Sequence, residues 1–139
     1  MSRNLNSPLE SWRVIPVFSS IKGKIDGNII GEIIENVPLP FPKANPNQKY
    51  FAQYIHDDSL ANLSINEGDL LFFQQKDFLD YASVGIFKIS DEIIIRRIFW
   101  KNDWIILQGI GKEEPIIIKE NDKKFSCIGQ LVGSLKEIK

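Results

Sequence analysis

Short apolar runs, rich in isoleucine, valine and phenylalanine and separated by turn residues, recur along most of this 139-residue chain. None of them sustains the 3.6-residue repeat of an amphipathic helix over a long window, whereas short runs between turns are typical of strands. The pattern therefore predicts a mostly β protein. The predicted strands lie at residues 14–18, 29–34, 50–55, 70–73, 84–89, 93–100, 104–107, 116–118 and 127–135.

The rest of the pattern limits the domain organisation. Residues 1–12 are polar and lack any period, so we expect an N-terminal arm followed by one domain over 13–139. One short helical turn is expected over 59–63. Because the runs at 93–95 and 116–118 do not alternate, we expect both faces of these strands to be covered by the core and by a second subunit or the arm.

Charge and composition exclude several classes of function. The formal net charge of −1 provides no overall attraction to nucleic-acid phosphates or anionic membranes. One cysteine and one histidine are too few for an ordinary Cys/His zinc site, and we expect neither a metal nor a cofactor. No run is typical of a signal peptide or a spanning helix, so a cytoplasmic location is expected.

The segment around Ser59 is the candidate for chemistry. Ser59 is predicted to lie on a tight turn between a strand and the short helical turn, where a nucleophile would be exposed on a rigid support. Taken alone, the pattern favours a helix cap, because a serine before a short helical turn more often accepts a hydrogen bond from a backbone N–H of the next turn. Both interpretations stay open on these residues.

Asp57-Asp58-Ser59-Leu60 is followed by Ser64-Ile65-Asn66-Glu67-Gly68-Asp69-Leu70. This segment resembles the one that carries the serine nucleophile in the LexA/UmuD family of self-cleaving serine peptidases. Ile94-Ile95-Arg96-Arg97 is similar to the Thr-Val-Lys-Arg motif of its catalytic lysine, and 96 − 59 = 37 positions is the family spacing. The strands at 14–18 and 128–133 also resemble the family, so the likeness spans about residues 13–135.

This resemblance implies a fold and an assembly. The family fold is a compact all-β unit of the LexA/signal-peptidase type, a β-clip with one or two short helical turns. Family members pair as homodimers, partly through C-terminal strands. In the family, the serine attacks the protein's own backbone after the lysine has taken its proton, and these two residues form the catalytic dyad. The resemblance places Ser59 and Arg96 at the two dyad positions.

The dyad departs from the family pattern at Arg96. A buried lysine can lose its proton and serve as a base, but a guanidinium has a pKa of roughly 12 or higher and no acceptor lone pair. We therefore expect Arg96 to hold Ser59 by a hydrogen bond without deprotonating it. The family's Ala-Gly or Cys-Gly cleavage dipeptide is also absent, and Lys22-Gly23, in the expected cleavage loop 19–24, is the nearest match.

Other residues offer weaker alternatives. His56 has a suitable imidazole, but the predicted turn need not bring it to the hydroxyl. Lys88 and Lys101 do not occupy the family's lysine position and are expected to be solvated. Asp58 and Asp69 suggest a metal pair, although Asp69 is better explained as a turn residue.

The sequence thus predicts a catalytically degenerate LexA/UmuD-like domain that acts as a homodimeric regulatory or protein-interaction module. The two family roles that remain open are transcriptional regulation and accessory function in the DNA-damage (SOS) response. Since no helix-turn-helix pattern precedes Arg13, we expect no direct DNA binding by this chain and no membrane association. The alternative is a working self-cleaving peptidase that uses Ser59 with an unusual base. An unused cleft that binds a peptide strand is a third possibility.

Overall fold

Nine β-strands carry most of the backbone in a computed structural model that describes residues 13–40 and 47–137. The strands are β1 (Val14–Ile25), β2 (Asn28–Pro38), β3 (Tyr50–Tyr54), β4 (Leu70–Gln75), β5 (Val84–Ile89), β6 (Glu92–Lys101), β7 (Trp104–Gln108), β8 (Ile116–Lys119) and β9 (Phe125–Leu135). Each predicted run overlaps one strand, and a 3-10 turn at Ala61–Leu63 falls within the expected helical turn. The all-β prediction is confirmed.

The nine strands form one sheet in the order β2-β1-β3-β4-β9-β5-β6-β7-β8. All neighbours are antiparallel except β1 and β3, which pair in parallel at Val17 and Phe18. β1 and β2 form a long hairpin around a turn at Asp26 and Gly27, whose positive φ angles of 52° and 79° suit a tight reversal. This hairpin includes residues 19–24, which were expected to form a loop.

The core explains the unbroken apolar runs. In β5, Ile86 packs in a cluster with Phe51 and Phe73, while the adjacent Phe87 packs in another cluster with Phe125 on the opposite face. The Phe51 and Phe73 rings stack with their centroids 5.2 Å apart. Polar residues at alternate positions would not stabilise a strand that is covered on both faces. The sequence of β5 is therefore a nearly continuous apolar run.

The two runs expected to be covered on both faces, in β6 and β8, differ from each other in burial. Residues 93–95 of β6 are all half-buried. In β8, Ile116 and Ile118 are half-buried while Ile117 is 59% exposed, so the described chain covers β8 on one face only. This alternation is ordinary for the last strand of a sheet.

The predicted arm over residues 1–12 lies outside the described residues. Within the ranges 13–40 and 47–137, no helix has the length and apolar character needed to cross a membrane.

Candidate functional site

Ser59 lies on the connection between β3 and β4, where local bonds define its position. Its backbone N–H donates to Asp57 Oδ1 at 3.0 Å, which closes a small turn around Asp58. The next residue, Leu60, is fully buried in the core, whereas Ser59 is half-buried. Leu60, not Ser59, occupies the N-cap of the 3-10 turn, and no side chain caps that turn. The arrangement therefore does not support the capping interpretation of Ser59.

Asp57 is hydrogen-bonded to Ser59 in this turn. Hydrogen bonds from the Ser59 hydroxyl and then from its backbone N–H hold the pKa of Asp57 below its ordinary value, while slight burial opposes them. Asp57 is therefore a carboxylate at neutral pH. A carboxylate with a lowered pKa is a poor acceptor for a serine proton, so Asp57 orients Ser59 without activating it.

Arg96 lies on β6 and lines the same cleft as Ser59. Its Nη1 donates to the carbonyl of Glu114 at 2.8 Å and, more weakly, to that of Leu107 at 3.4 Å. Across the described chain no hydrogen bond joins Arg96 to Ser59, so the expected bond between the two dyad positions is not observed. The guanidinium instead bonds to Leu107 of β7 and to Glu114 in the loop between β7 and β8.

The cleft that contains both dyad positions has a volume of about 310 Å³. Isoleucines from two strands, Ile86 of β5 and Ile93 and Ile95 of β6, supply apolar lining. β7 pairs with β6 only from Arg97 to Lys101, and in the described ranges no strand pairs with the outer edge of β6 between Glu92 and Arg96. The cleft thus combines an apolar surface with an open strand edge.

The nearest match to a cleavage dipeptide is not in a loop. Lys22 and Gly23 belong to β1, where Gly23 pairs with Ile30 of β2 and is buried. A Cβ atom on Gly23 would lie 3.3 Å from Lys88 Cδ and 3.4 Å from its Nζ. The expectation of a free loop over 19–24 was wrong, because pairing with β2 supplies the backbone hydrogen bonds that a loop would leave to water.

The other candidate residues fall in different places. His56 is exposed, and although it lines the cleft, no hydrogen bond between it and Ser59 occurs in the described part of the molecule. Lys88, expected to be solvated, is half-buried over Gly23, while Lys101 is exposed. Asp58 is exposed and Asp69 is buried. No group of three metal-ligating side chains occurs among residues 13–40 and 47–137.

Two residues of the site had no signal in the sequence pattern. Glu113, in the loop between β7 and β8, lines the cleft together with Ser59. Asn62, in the 3-10 turn, donates from Nδ2 to the carbonyl of Ile110 at 2.9 Å and so ties that loop to the serine turn. A contact between residues about 50 positions apart leaves no local period to detect.

Cys127 offers no alternative nucleophile. Burial raises the pKa of its thiol to about 12, so the reactive thiolate is scarce at neutral pH.

Comparison with known proteins agrees with this architecture. The profile of the Peptidase S24-like family matches residues 16–132, which is most of the chain. The chain belongs to this family of serine-peptidase-fold domains. LexA repressors are similar to it: that of Clostridium perfringens is 27% identical over 133 residues, covering 86% of this chain and 64% of the relative.

Two further LexA repressors extend the comparison. That of Leptospira interrogans is 26% identical, covering 91% of this chain and 63% of the relative. That of Clostridium botulinum is 30% identical over 103 residues, covering 73% of this chain and 50% of the relative. The chain thus spans less than two thirds of the length of each of these repressors.

Proposed function

We propose that this chain is a catalytically degenerate LexA/UmuD-like domain, a homodimeric regulatory or protein-interaction module whose activity is binding rather than hydrolysis. Its setting would be transcriptional regulation or the DNA-damage response, in keeping with relatives described as LexA repressors. The cleft would hold a peptide strand from a partner protein, because the open edge of β6 offers backbone hydrogen bonds to an added strand.

The observation that carries the proposal is the hydrogen bonding of Arg96. Its guanidinium occupies the dyad position, bonds to the Glu114 and Leu107 carbonyls, and has no lone pair to accept a proton. Ser59 is hydrogen-bonded to a carboxylate with a lowered pKa, which is a weak base. The serine therefore lacks the partner that would make it a nucleophile.

Intact mass is the direct test. Purified protein and its Ser59→Ala variant are incubated for days at pH 7 and pH 10, and their masses are compared. We expect both chains to stay whole, because raising the pH would activate a lysine dyad but leaves an arginine charged.

Comparison with Ser59→Ala shows whether a fragment depends on the serine. A fragment that begins near Gly23 or Lys24, formed by the native sequence and absent from Ser59→Ala, would show a working peptidase with an unusual base and overturn the proposal. A fragment formed equally by both would come from a contaminating protease.

A further inference from the structure

The loop between β7 and β8 forms one wall of the serine cleft, where two hydrogen bonds hold it to other elements and one closes it internally. Arg96 donates to its Glu114 carbonyl at 2.8 Å, and Asn62 donates to its Ile110 carbonyl at 2.9 Å. Within the loop, the backbone N–H of Gly111 donates to Glu113 Oε1 at 3.0 Å. A Cβ atom on Gly111 would lie 3.6 Å from the Ser59 carbonyl oxygen, so the loop packs directly against the serine turn.

These contacts place a carboxylate in the cleft. Glu113 is half-buried, lines the cleft and has no ion-pair partner in the described residues. Its side chain folds over Gly109, where an added Cβ would come within 2.5 Å of Glu113 Oε1 and 2.8 Å of Glu113 Cβ. Only a residue without a side chain at position 109 leaves this space to Glu113.

The cleft therefore joins two kinds of surface. The isoleucines of β5 and β6 suit aliphatic side chains, whereas the carboxylates of Asp57 and Glu113 suit a cation. Arg96 keeps its positive charge but directs its Nη1 away from these carboxylates, to the backbone carbonyls of Glu114 and Leu107. The edge of β6 adds the requirement that the occupant be an extended strand.

We propose that Glu113 is a specificity-determining residue and Arg96 its positioning residue, so that the cleft selects an extended peptide with a lysine or arginine between aliphatic side chains. This inference rests on the proposed binding function of the cleft. It specifies the chemistry of the partner segment and assigns a positioning role to Arg96, at the position that the resemblance gives to the family's lysine.

Isothermal titration calorimetry with three end-blocked heptapeptides tests the selectivity. The peptides share valine and isoleucine flanks and carry lysine, glutamine or glutamate at the centre. We expect the lysine peptide to bind about tenfold more tightly than the glutamine peptide, since one charge-assisted contact is worth roughly that factor. The glutamate peptide should bind most weakly, and 0.5 M salt should reduce the lysine preference.

Glu113→Gln removes the charge while its amide oxygen can still accept from Gly111. We expect it to weaken binding of the lysine peptide more than binding of the glutamine peptide, so that the lysine preference falls towards parity. Glu120→Gln, which removes an exposed carboxylate outside this cleft, is the matched control and should change neither value.

Arg96→Met separates positioning from charge. Loss of a cation from the cleft would by itself raise the lysine preference, whereas loss of the loop contacts should lower it and speed hydrogen exchange of residues 109–114. A lower preference with faster exchange supports the positioning role, and an unchanged or raised preference contradicts it.

Failure of the binding function and failure of the selectivity would give different results. If none of the three peptides binds the native protein, the proposed binding function of the cleft is wrong and this inference falls with it. If all three bind equally, or if Glu113→Gln leaves the lysine preference intact, only the selectivity is wrong.

Discussion

Asp69, a buried carboxylate at 2% exposure, ties the C-terminal end of the chain to the turn that follows Ser59. Its Oδ2 accepts from the backbone N–H of Asn66 at 2.9 Å and from Lys136 Nζ at 3.1 Å. Its Oδ1 accepts from the backbone N–H of Glu137 at 3.0 Å. These bonds account for its burial and argue against the metal-pair alternative, because its lone pairs are already engaged.

Asp69→Ala should destabilise the fold, because it removes the buried acceptor of three hydrogen bonds, from the backbone N–H groups of Asn66 and Glu137 and from Lys136. We expect the melting temperature to fall by about 5 °C or more, measured by circular dichroism. Asp58→Ala is the matched control, since Asp58 is exposed and its side chain makes no hydrogen bond in the described structure. Equal effects of the two variants would contradict this role of Asp69.

The contribution of Asp69 should also depend on pH. The N–H of Asn66, then that of Glu137, and Lys136 hold the pKa of Asp69 below its ordinary value of 3.8, against the effect of burial. A lowered folded-state pKa gives stability that is present above the unfolded-state pKa and lost as pH falls through the folded one. Urea midpoints of the native protein and Asp69→Ala should therefore differ equally at pH 5 and pH 7 and converge below about pH 4.

Under the proposed function, the β1–β2 hairpin adds a second barrier to self-cleavage at the scale of elements. Gly23 is paired with Ile30 and covered by Lys88, so the Lys22-Gly23 peptide bond is held within a sheet. A lysine at position 96 would not release this peptide bond from the sheet.

We therefore expect Arg96→Lys to stay whole in the same intact-mass assay at pH 7 and pH 10, even though lysine is the family's residue at this position. The double variant Arg96→Lys with Ser59→Ala serves as its control. A fragment that begins at Gly23 in the single variant and is absent from the double variant would show that the hairpin opens readily and that the missing base was the sole barrier.

Prediction succeeded and failed at the element scale for identifiable reasons. Strands such as β5 and β9 were predictable because apolar runs between turns are a local signal. Residues 19–24 were mistaken for a loop because the resemblance to self-cleaving family members places a cleavage loop after the first strand. The hairpin accommodates them by β-bulges, with Ser19 and Lys22 left out of the pairing register, and a bulge depends on the partner strand.

At the scale of the whole molecule, the proposed homodimer can be tested on the C-terminal strand, through which the family resemblance implies part of the contact. Leu135, at the end of β9, is 48% exposed in the single chain. We expect sedimentation equilibrium to give twice the chain mass for the native protein, and Leu135→Glu to shift the population towards monomer, because an interface does not tolerate an unpaired buried charge.

Phe78→Glu provides the comparison, since Phe78 is 87% exposed in the connection between β4 and β5. We expect this variant to stay dimeric. A monomer from Phe78→Glu together with a dimer from Leu135→Glu would place the interface elsewhere, and a native monomer would contradict the dimer itself.

The sequence by itself determined the mostly β character, the nine strands and the spacing of Ser59 and Arg96, because hydrophobic pattern and residue identity are local properties. The sequence also placed an arginine at the position that the family resemblance assigns to the catalytic lysine, and a guanidinium cannot accept a proton in any fold. Only the tertiary structure decided what Arg96 does instead. Its carbonyl acceptors belong to β7 and to the loop after it, more than ten residues away along the chain, and Glu113 reaches the cleft from the same loop. Such contacts depend on the packing of the whole sheet.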